Sequence, residues 1–191
     1  MNVMELYGRA QDGFDAVLAG VGPDQWETPS TCPDWSVRDV AGHVIWAQRQ
    51  LRAWATGEEY ADHAGAPGSP RPAVLAEGDP LKLWREAREE ATATLTGEAL
   101  AKTVALPGVG EIPLVAVVTL LLTDTATHTW DIAHALGEKV VLDPAVVSAA
   151  FEWSRANVIR RPGFFGPELA PPDDADEQTR LLAFLGRTVT A

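Results

Sequence analysis

LVAVVTLLLTDTATHTWDIAHAL, residues 114–136, is apolar in its first half and carries acids and imidazoles in its second half. At 100° per residue, the stripe that begins with Leu114 and Leu121 continues through Asp124 and His128. An ionised carboxylate in an apolar seam destabilises the fold by several kcal/mol unless another group compensates its charge. This stretch therefore predicts a core-facing helix whose second half holds a functional site.

Three side chains are candidates for a metal centre. Asp124 and His128 stand four residues apart, so they meet on adjacent turns of one helical face. A carboxylate and an imidazole on such a face can supply two ligands of a metal site. His43 lies between Val40 and Ala47 on the inward stripe of another predicted helix. If the two helices face each other in a bundle, all three side chains converge.

Other roles for these residues stay open at this stage. His43 alone is more often a hydrogen-bonded core histidine than a ligand. Asp124 and His128 also fit a structural pair on a half-exposed face. Asp131 and His134 have a similar spacing, and they could compete as ligands or support the ligands by hydrogen bonds.

Hydrophobic periodicity predicts an all-α fold. Segment 103–113, with β-branched residues around a Gly-rich turn, predicts one small β-hairpin. Four substantial helices without a strong strand signal predict a four-helix bundle. The long linker at 57–79 is suited to a crossover, which fits an up-down-down-up arrangement. The predicted helices are 3–21, 37–55, 80–95 and 114–136, followed by shorter ones at 144–159 and 177–186.

Composition limits the classes of partner and compartment. The 191 residues fit one domain, and the net charge of −12 argues against nucleic acid or an anionic membrane as partner. The single cysteine rules out an internal disulfide, and the N-terminal residues lack the features of a signal peptide. The longest apolar run, 112–122, is too short to span a bilayer. A cytoplasmic protein is expected.

Three segments resemble a known family. Residues 31–43, TCPDWSVRDVAGH, resemble the signature W-x-x-R-D-x-x-x-H of the DinB/YfiT-like superfamily, in particular its mycothiol-dependent maleylpyruvate isomerase N-terminal domain group. Residues 128–133, HTWDIA, are similar to that group's H-x-W-D-x-A. Residues 181–187, LLAFLGR, look like the end of its actinobacterial members. The segments occur in order and together span most of the chain.

The resemblance implies a DinB-like four-helix bundle, up-down-down-up, that binds a divalent metal, zinc in preference to nickel. The family's helix-two histidine falls on His43, and the second histidine of its helix-four pair falls on His128. The remaining ligand, a His or Glu in relatives, falls on Asp124, whose reach is shorter than that of Glu by roughly 1.3 Å. The expected division is a bundle at 1–140 and a C-terminal helical extension at 141–191, packed on the same domain.

The resemblance also implies thiol chemistry. A metal ion with an open coordination position lowers the pKa of a bound thiol, and relatives use mycothiol as cosubstrate. The expected function is a metal-dependent thiol S-transferase or isomerase, with a small-molecule thiol and a small electrophile as partners. The alternative is a non-catalytic DinB-like metal-binding or interaction protein. A homodimer is compatible with either function.

Two loops and one thiol complete the expectations. Segments 57–79 and 160–176 are candidate walls of a substrate cleft, since long loops in compact domains often form lids or binding sites. Cys32, the only thiol, precedes Pro33 in a connector and has no base beside it in sequence. We therefore expect Cys32 to have a packing role.

Overall fold

Helices make up most of the fold, as predicted. The computed structural model describes residues 2–106, 109–160 and 164–189. This part of the chain forms seven α-helices, one 3₁₀ helix at Pro72–Ala76 and one two-stranded hairpin. The elements are α1 (Val3–Gly20), α2 (Val37–Thr56), α3 (Pro80–Thr94), α4 (Gly97–Ala101), β1 (Thr103–Leu106), β2 (Gly110–Pro113), α5 (Leu114–Ala135), α6 (Pro144–Asn157) and α7 (Glu177–Phe184).

Ion pairs on the surface show that α1 and α3 run antiparallel. Two aspartates of α1 pair with two arginines of α3 in reversed order, Asp12 with Arg88 at 2.6 Å and Asp15 with Arg85 at 2.8 Å. The second pair is bidentate, because Arg85 donates from Nε and Nη2 to the two carboxylate oxygens. The α1 and α3 helices therefore point in opposite directions along the bundle.

The long helix α2 runs antiparallel to both α1 and α5. The Tyr7 hydroxyl, early in α1, donates to Gln48 in the second half of α2. His43, early in α2, lies against His128, late in α5, with 5.1 Å between their ring centroids. With α3 also opposed to α1, the four long helices form the predicted up-down-down-up bundle.

The start of α2 is fixed by a capping box. Ser36 caps the helix by accepting a hydrogen bond from the Asp39 N–H, and the Asp39 carboxylate accepts from the Ser36 N–H in return. This capping box satisfies amide groups that the first turn would otherwise leave unpaired. Gly42 lets the 3₁₀ helix approach closely, because a Cβ there would lie 2.0 Å from the Pro72 carbonyl oxygen. The 3₁₀ helix was missed in the sequence because five residues are too few to show a period.

Two apolar clusters fill the bundle. One surrounds the first half of α5 and includes Leu114, Val118 and Leu122 with side chains of α1, α2, α6 and α7. The other joins α1, α2 and α3 around Trp84, and the Phe14 ring packs edge-on against it at 4.7 Å. The apolar half of α5 is thus the centre of the first cluster, as its sequence predicted.

The second half of α5 stays helical although many of its buried residues are polar. Thr127 donates its hydroxyl proton to the Thr123 carbonyl at 2.7 Å, and Thr129 donates to the Thr125 carbonyl at 2.8 Å. Each hydroxyl is therefore satisfied one turn back within the same helix. The buried threonine hydroxyls therefore need no hydrogen-bond partner from another element. The acids and imidazoles of α5 are the groups that do need such a partner.

The C-terminal helices pack onto the bundle. Helix α6 contacts α5 and α1, and α7 contacts α6. Asp143 caps α6 through the backbone N–H groups of Ala145 and Val146, and it accepts a hydrogen bond from Arg9 of α1 at 3.0 Å. A hairpin joins the bundle at β1 and β2, which pair antiparallel as predicted, while residues 107 and 108 of the predicted turn lie outside the described residues. No helix within the described ranges is both long and apolar enough to cross a membrane.

Candidate metal centre

The structure brings His43, Asp124 and His128 together between α2 and α5. The His43 Nε2 atom lies 3.4 Å from Asp124 Oδ2, and the His128 Nε2 atom lies 3.4 Å from Asp124 Oδ1. One ligand atom from each of the three residues falls within 4.8 Å of the others. All three side chains are at least mostly buried, with 6%, 15% and 7% of their surface exposed.

Each imidazole donates a hydrogen bond from Nδ1, the ring nitrogen that faces away from Asp124. His43 Nδ1 lies 2.6 Å from the carbonyl oxygen of Gly65, which can only accept, so Nδ1 carries the proton. His128 Nδ1 lies 2.9 Å from the Asp131 carboxylate and donates in the same way. With Nδ1 engaged in this way, Nε2 is the nitrogen left to bind an ion and it faces Asp124, the arrangement typical of metal-ligating histidines.

The donor set fits a divalent ion in composition and spacing. Ligand atoms at 2.0–2.1 Å from a tetrahedral zinc ion lie about 3.3–3.4 Å from each other, and each Nε2 atom lies 3.4 Å from a different oxygen of the Asp124 carboxylate. Asp124 Oδ2 is buried and makes no hydrogen bond within the described part of the chain. A buried carboxylate oxygen without a partner is costly, and a cation is a partner that would satisfy it. Although shorter than Glu, Asp124 thus lies within reach of both imidazoles.

The charges of the centre are strongly coupled. Burial would raise the pKa of Asp124, but the imidazoles of His128 and His43 outweigh burial and hold that pKa well below its usual range. Burial would lower the pKa of His128, but the Asp124 carboxylate raises it well above its ordinary value. Without an ion, a proton on His128 therefore compensates the Asp124 charge, and an incoming metal would have to displace that proton.

The Asp131 carboxylate, which is fully buried, organises the other side of His128. Arg187 donates to both of its oxygens, from Nε at 3.1 Å and from Nη2 at 2.8 Å, and the Thr31 hydroxyl also donates to it. Burial would raise the pKa of Asp131, but Arg187 and His128 hold it well below its usual range. Asp131 is thus an ionised hydrogen-bond acceptor that orients His128.

Cys32 packs against the second apolar cluster, as expected, and its thiol also lies beside this centre. Its Sγ atom is 3.3 Å from the Asp131 carboxylate and 3.8 Å from His128 Nδ1. These three residues also form a group whose ligand atoms lie within 4.8 Å, but the Arg187 guanidinium already provides the positive charge there. The other competitor considered from the sequence, His134, stacks on Trp130 at 4.4 Å and belongs to neither group among the described residues.

Loop 57–79, a predicted wall, lies against the centre. Three ring N–H groups donate to its backbone carbonyls: Trp35 to Ser69 at 3.0 Å, His43 to Gly65 at 2.6 Å and Trp46 to Asp62 at 2.8 Å. Of the second predicted wall, 160–176, residues 161–163 lie outside the described residues, and the Phe165 ring centroid is 5.9 Å from the Arg187 guanidinium.

Comparison with known proteins agrees with this architecture. Residues 7–133 match the family model of the mycothiol maleylpyruvate isomerase N-terminal domain. The chain belongs to this family. The matched segment contains all three residues of the candidate centre, and Arg187 lies beyond it.

Relatives and one solved structure extend the comparison. An uncharacterized protein of Mycobacterium tuberculosis, Rv0738, is 34% identical over 99% of this chain and 100% of its own length. A second uncharacterized protein from that organism, Rv0036c, is 29% identical over 70% of this chain and 55% of its own length. The crystal structure of a variant of the mycothiol-dependent maleylpyruvate isomerase has the same fold, with a TM-score of 0.52 and 15% identity over 78% of this chain and 68% of that one.

Proposed function

We propose that this protein binds a divalent metal ion, zinc in preference to nickel, through His43, Asp124 and His128. The observation that carries the proposal is the convergence of two Nε2 atoms on one carboxylate, each ring being fixed from behind by a hydrogen bond that Nδ1 donates. Three protein ligands leave a fourth position for a substrate atom, as in catalytic zinc sites.

The ion would serve a thiol-dependent transferase or isomerase reaction on a small electrophile. The family is named for mycothiol, and the isomerase with the same fold depends on that thiol. When bound, a divalent ion lowers the pKa of a thiol at its open position and so supplies a thiolate nucleophile. The ring of Trp35 borders His43 at 5.1 Å and would help to keep water from that position.

The C-terminal segment contributes to the same centre in this proposal. Residues 141–191 would be an extension packed on the bundle of residues 1–140, because α6 contacts α1 and α5 and because Arg187 reaches Asp131. Arg187 itself is anchored by its backbone N–H to Leu182 and by Nη1 to the Leu185 carbonyl. The extension would thereby hold Asp131, and through it His128, in the orientation that metal binding needs.

Metal content tests the proposal directly. Mass spectrometry on tag-free protein should find close to one zinc or nickel ion per chain in the wild type and none in His128→Ala. The matched control, His134→Ala, removes an imidazole from the same helix but outside the centre, and it should keep the metal. A wild-type protein that takes up neither ion after incubation would overturn the proposed metal centre.

The thiol is tested separately on cobalt-substituted protein. Addition of mycothiol, or of a simpler low-molecular-weight thiol, should produce a sulfur-to-cobalt charge-transfer absorption that His128→Ala lacks. A metal-loaded wild type that shows no such band would exclude a thiol bound to the ion, and it would favour the non-catalytic metal-binding alternative.

A further inference from the structure

The attachment of loop 57–79 to α2 suggests a role for a backbone group. Two of its ring N–H contacts, from Trp35 and Trp46, anchor the loop through donors that are not themselves candidate ligands. The third differs, because the donor is His43 Nδ1 and the acceptor is the Gly65 carbonyl oxygen at 2.6 Å. The same bond therefore holds the loop and determines which nitrogen of His43 carries the proton.

The absence of a side chain at position 65 makes that contact feasible. A Cβ on Gly65 would lie 2.2 Å from Trp46 Cβ and 2.9 Å from Leu75 Cδ1, both closer than packed atoms approach. Gly65 is itself buried, and Trp46 Cβ is attached to the backbone of α2, which cannot move aside easily. Any larger residue would have to lift the carbonyl away from His43.

The bond works against a competing form of the imidazole. A neutral His43 with its proton on Nε2 would point a donor at Asp124 Oδ2, which lies 3.4 Å away and has no other partner among the described residues. That form would satisfy the buried oxygen but would remove the lone pair that a metal needs. A carbonyl acceptor at Nδ1 disfavours this form.

We propose that the Gly65 carbonyl is a positioning group of the metal centre, holding His43 as the Nδ1–H tautomer so that Nε2 is free to bind the ion. This inference rests on the proposed metal-binding function. Because coupling between two equilibria is reciprocal, an ion bound at Nε2 also favours the Nδ1–H form and so stabilises the attached loop.

The test compares Gly65→Ala with two variants of the same region. Trp46→Phe removes the anchor to Asp62 but leaves the Gly65 carbonyl, and His63→Ala removes an exposed imidazole of the loop. In metal-free protein, nitrogen-15 NMR should detect a slowly exchanging Nδ1–H of His43 in the wild type and in both controls. In Gly65→Ala this signal should disappear, and zinc affinity measured by chelator competition should fall by about 10–100-fold.

Several outcomes would overturn the inference. One is a Gly65→Ala protein that keeps the Nδ1–H signal or the wild-type zinc affinity. Another is an equal loss in Trp46→Phe, which would mean that loop packing in general, and not this carbonyl, controls the site. A wild type that binds no zinc would refute the proposed function instead, while the metal-free NMR comparison would still decide the role of Gly65.

A further measurement needs no substitution at Gly65. The Ala66 and Ser69 amides donate to carbonyls within the loop, to His63 at 3.0 Å and to Ala66 at 2.9 Å. Zinc should slow hydrogen exchange at both amides in the wild type and leave it unchanged in His128→Ala. Exchange that zinc leaves unaltered in the wild type, once zinc binding is established, would contradict the coupling between the ion and the loop.

Discussion

The two imidazoles of the candidate centre are oriented by regions of opposite character. Loop 57–79 holds His43 with a neutral peptide carbonyl, whereas α5 and the C-terminal tail hold His128 with a carboxylate that Arg187 neutralises. A carbonyl carries no net charge, so its burial needs no counter-ion. A fully buried carboxylate does need one, and the orientation of His128 is therefore tied to the stability of the fold.

The largest expected effect comes from removing the ion pair between Arg187 and Asp131. Arg187→Ala leaves Asp131 buried without its bidentate partner, and we expect the free energy of unfolding to fall by about 3 kcal/mol, because an uncompensated buried charge is strongly destabilising. Urea denaturation of the metal-free protein measures this loss. The control Arg180→Ala, on exposed α7 surface, should change stability by less than about 0.5 kcal/mol.

A double variant separates charge from packing in this prediction. Asp131→Asn removes the carboxylate charge, so in combination with Arg187→Ala it should recover part of the loss that Arg187→Ala causes alone. Strict additivity of the two single changes would contradict the claim that they act through one ion pair. It would also remove the physical basis for linking His128 to the tail.

The next largest effect concerns Asp124, the carboxylate that lies between the two imidazoles. Asp124→Glu lengthens the shared ligand by one methylene, but each carboxylate oxygen already lies 3.4 Å from an Nε2 atom. The added methylene moves the carboxylate by roughly 1.3 Å, far beyond the tolerance of a ligand distance. Zinc binding should weaken by about tenfold, or about 1.4 kcal/mol, in chelator competition.

Unchanged or tighter zinc binding in Asp124→Glu would argue against the present carboxylate position, 3.4 Å from each Nε2 atom, as the one that suits the ion. Asp124→Asn is the matched variant, since it keeps the length and removes the charge. It should bind zinc more weakly than the wild type, because an amide is a poorer ligand for a divalent ion than a carboxylate.

Local sequence patterns predicted the candidate ligands better than the groups that support them. The pair Asp124 and His128 is visible because residues four apart share a helical face, and His43 is visible because its neighbours define the inward stripe of α2. The up-down-down-up arrangement of the helices and the β-hairpin also followed from periodicity, loop length and turn residues. These are all properties that a short window of sequence contains.

The contributions of Gly65, Arg187 and Cys32 to the centre could not be recognised from a local sequence pattern. The Gly65 carbonyl is a backbone group, so it cannot be recognised from a residue type. The sequence indicated only that its loop was long and a candidate wall of the cleft. Arg187 is 56 residues from Asp131, and nothing in a helical period links positions so far apart. Cys32 packs against the second apolar cluster as expected, but its contact with Asp131 was not predicted, because it depends on the connector before α2 turning back towards the end of α5. Tertiary structure alone brings these groups to the centre.

The smallest expected effect tests how firmly the extension is held on the bundle. Burial would raise the pKa of Asp143, but the Val146 N–H, Arg9 and the Ala145 N–H outweigh it and lower that pKa. A folded-state pKa below the unfolded value stabilises the fold above the unfolded pKa, and the contribution is lost as the pH falls through the folded pKa. Asp143→Asn keeps a capping side chain and removes the charge, so it isolates this contribution.

We expect Asp143→Asn to lower the free energy of unfolding at neutral pH by a few tenths of a kcal/mol, since the pair with Arg9 is partly exposed. The difference from the wild type should shrink as the pH falls into the acidic range and the Asp143 carboxylate becomes protonated. Urea denaturation at a series of pH values measures it. A difference that persists at low pH would mean that the capping geometry, and not the charge, holds α6 against α1, and the ion pair would then have no part in placing the extension that carries Arg187.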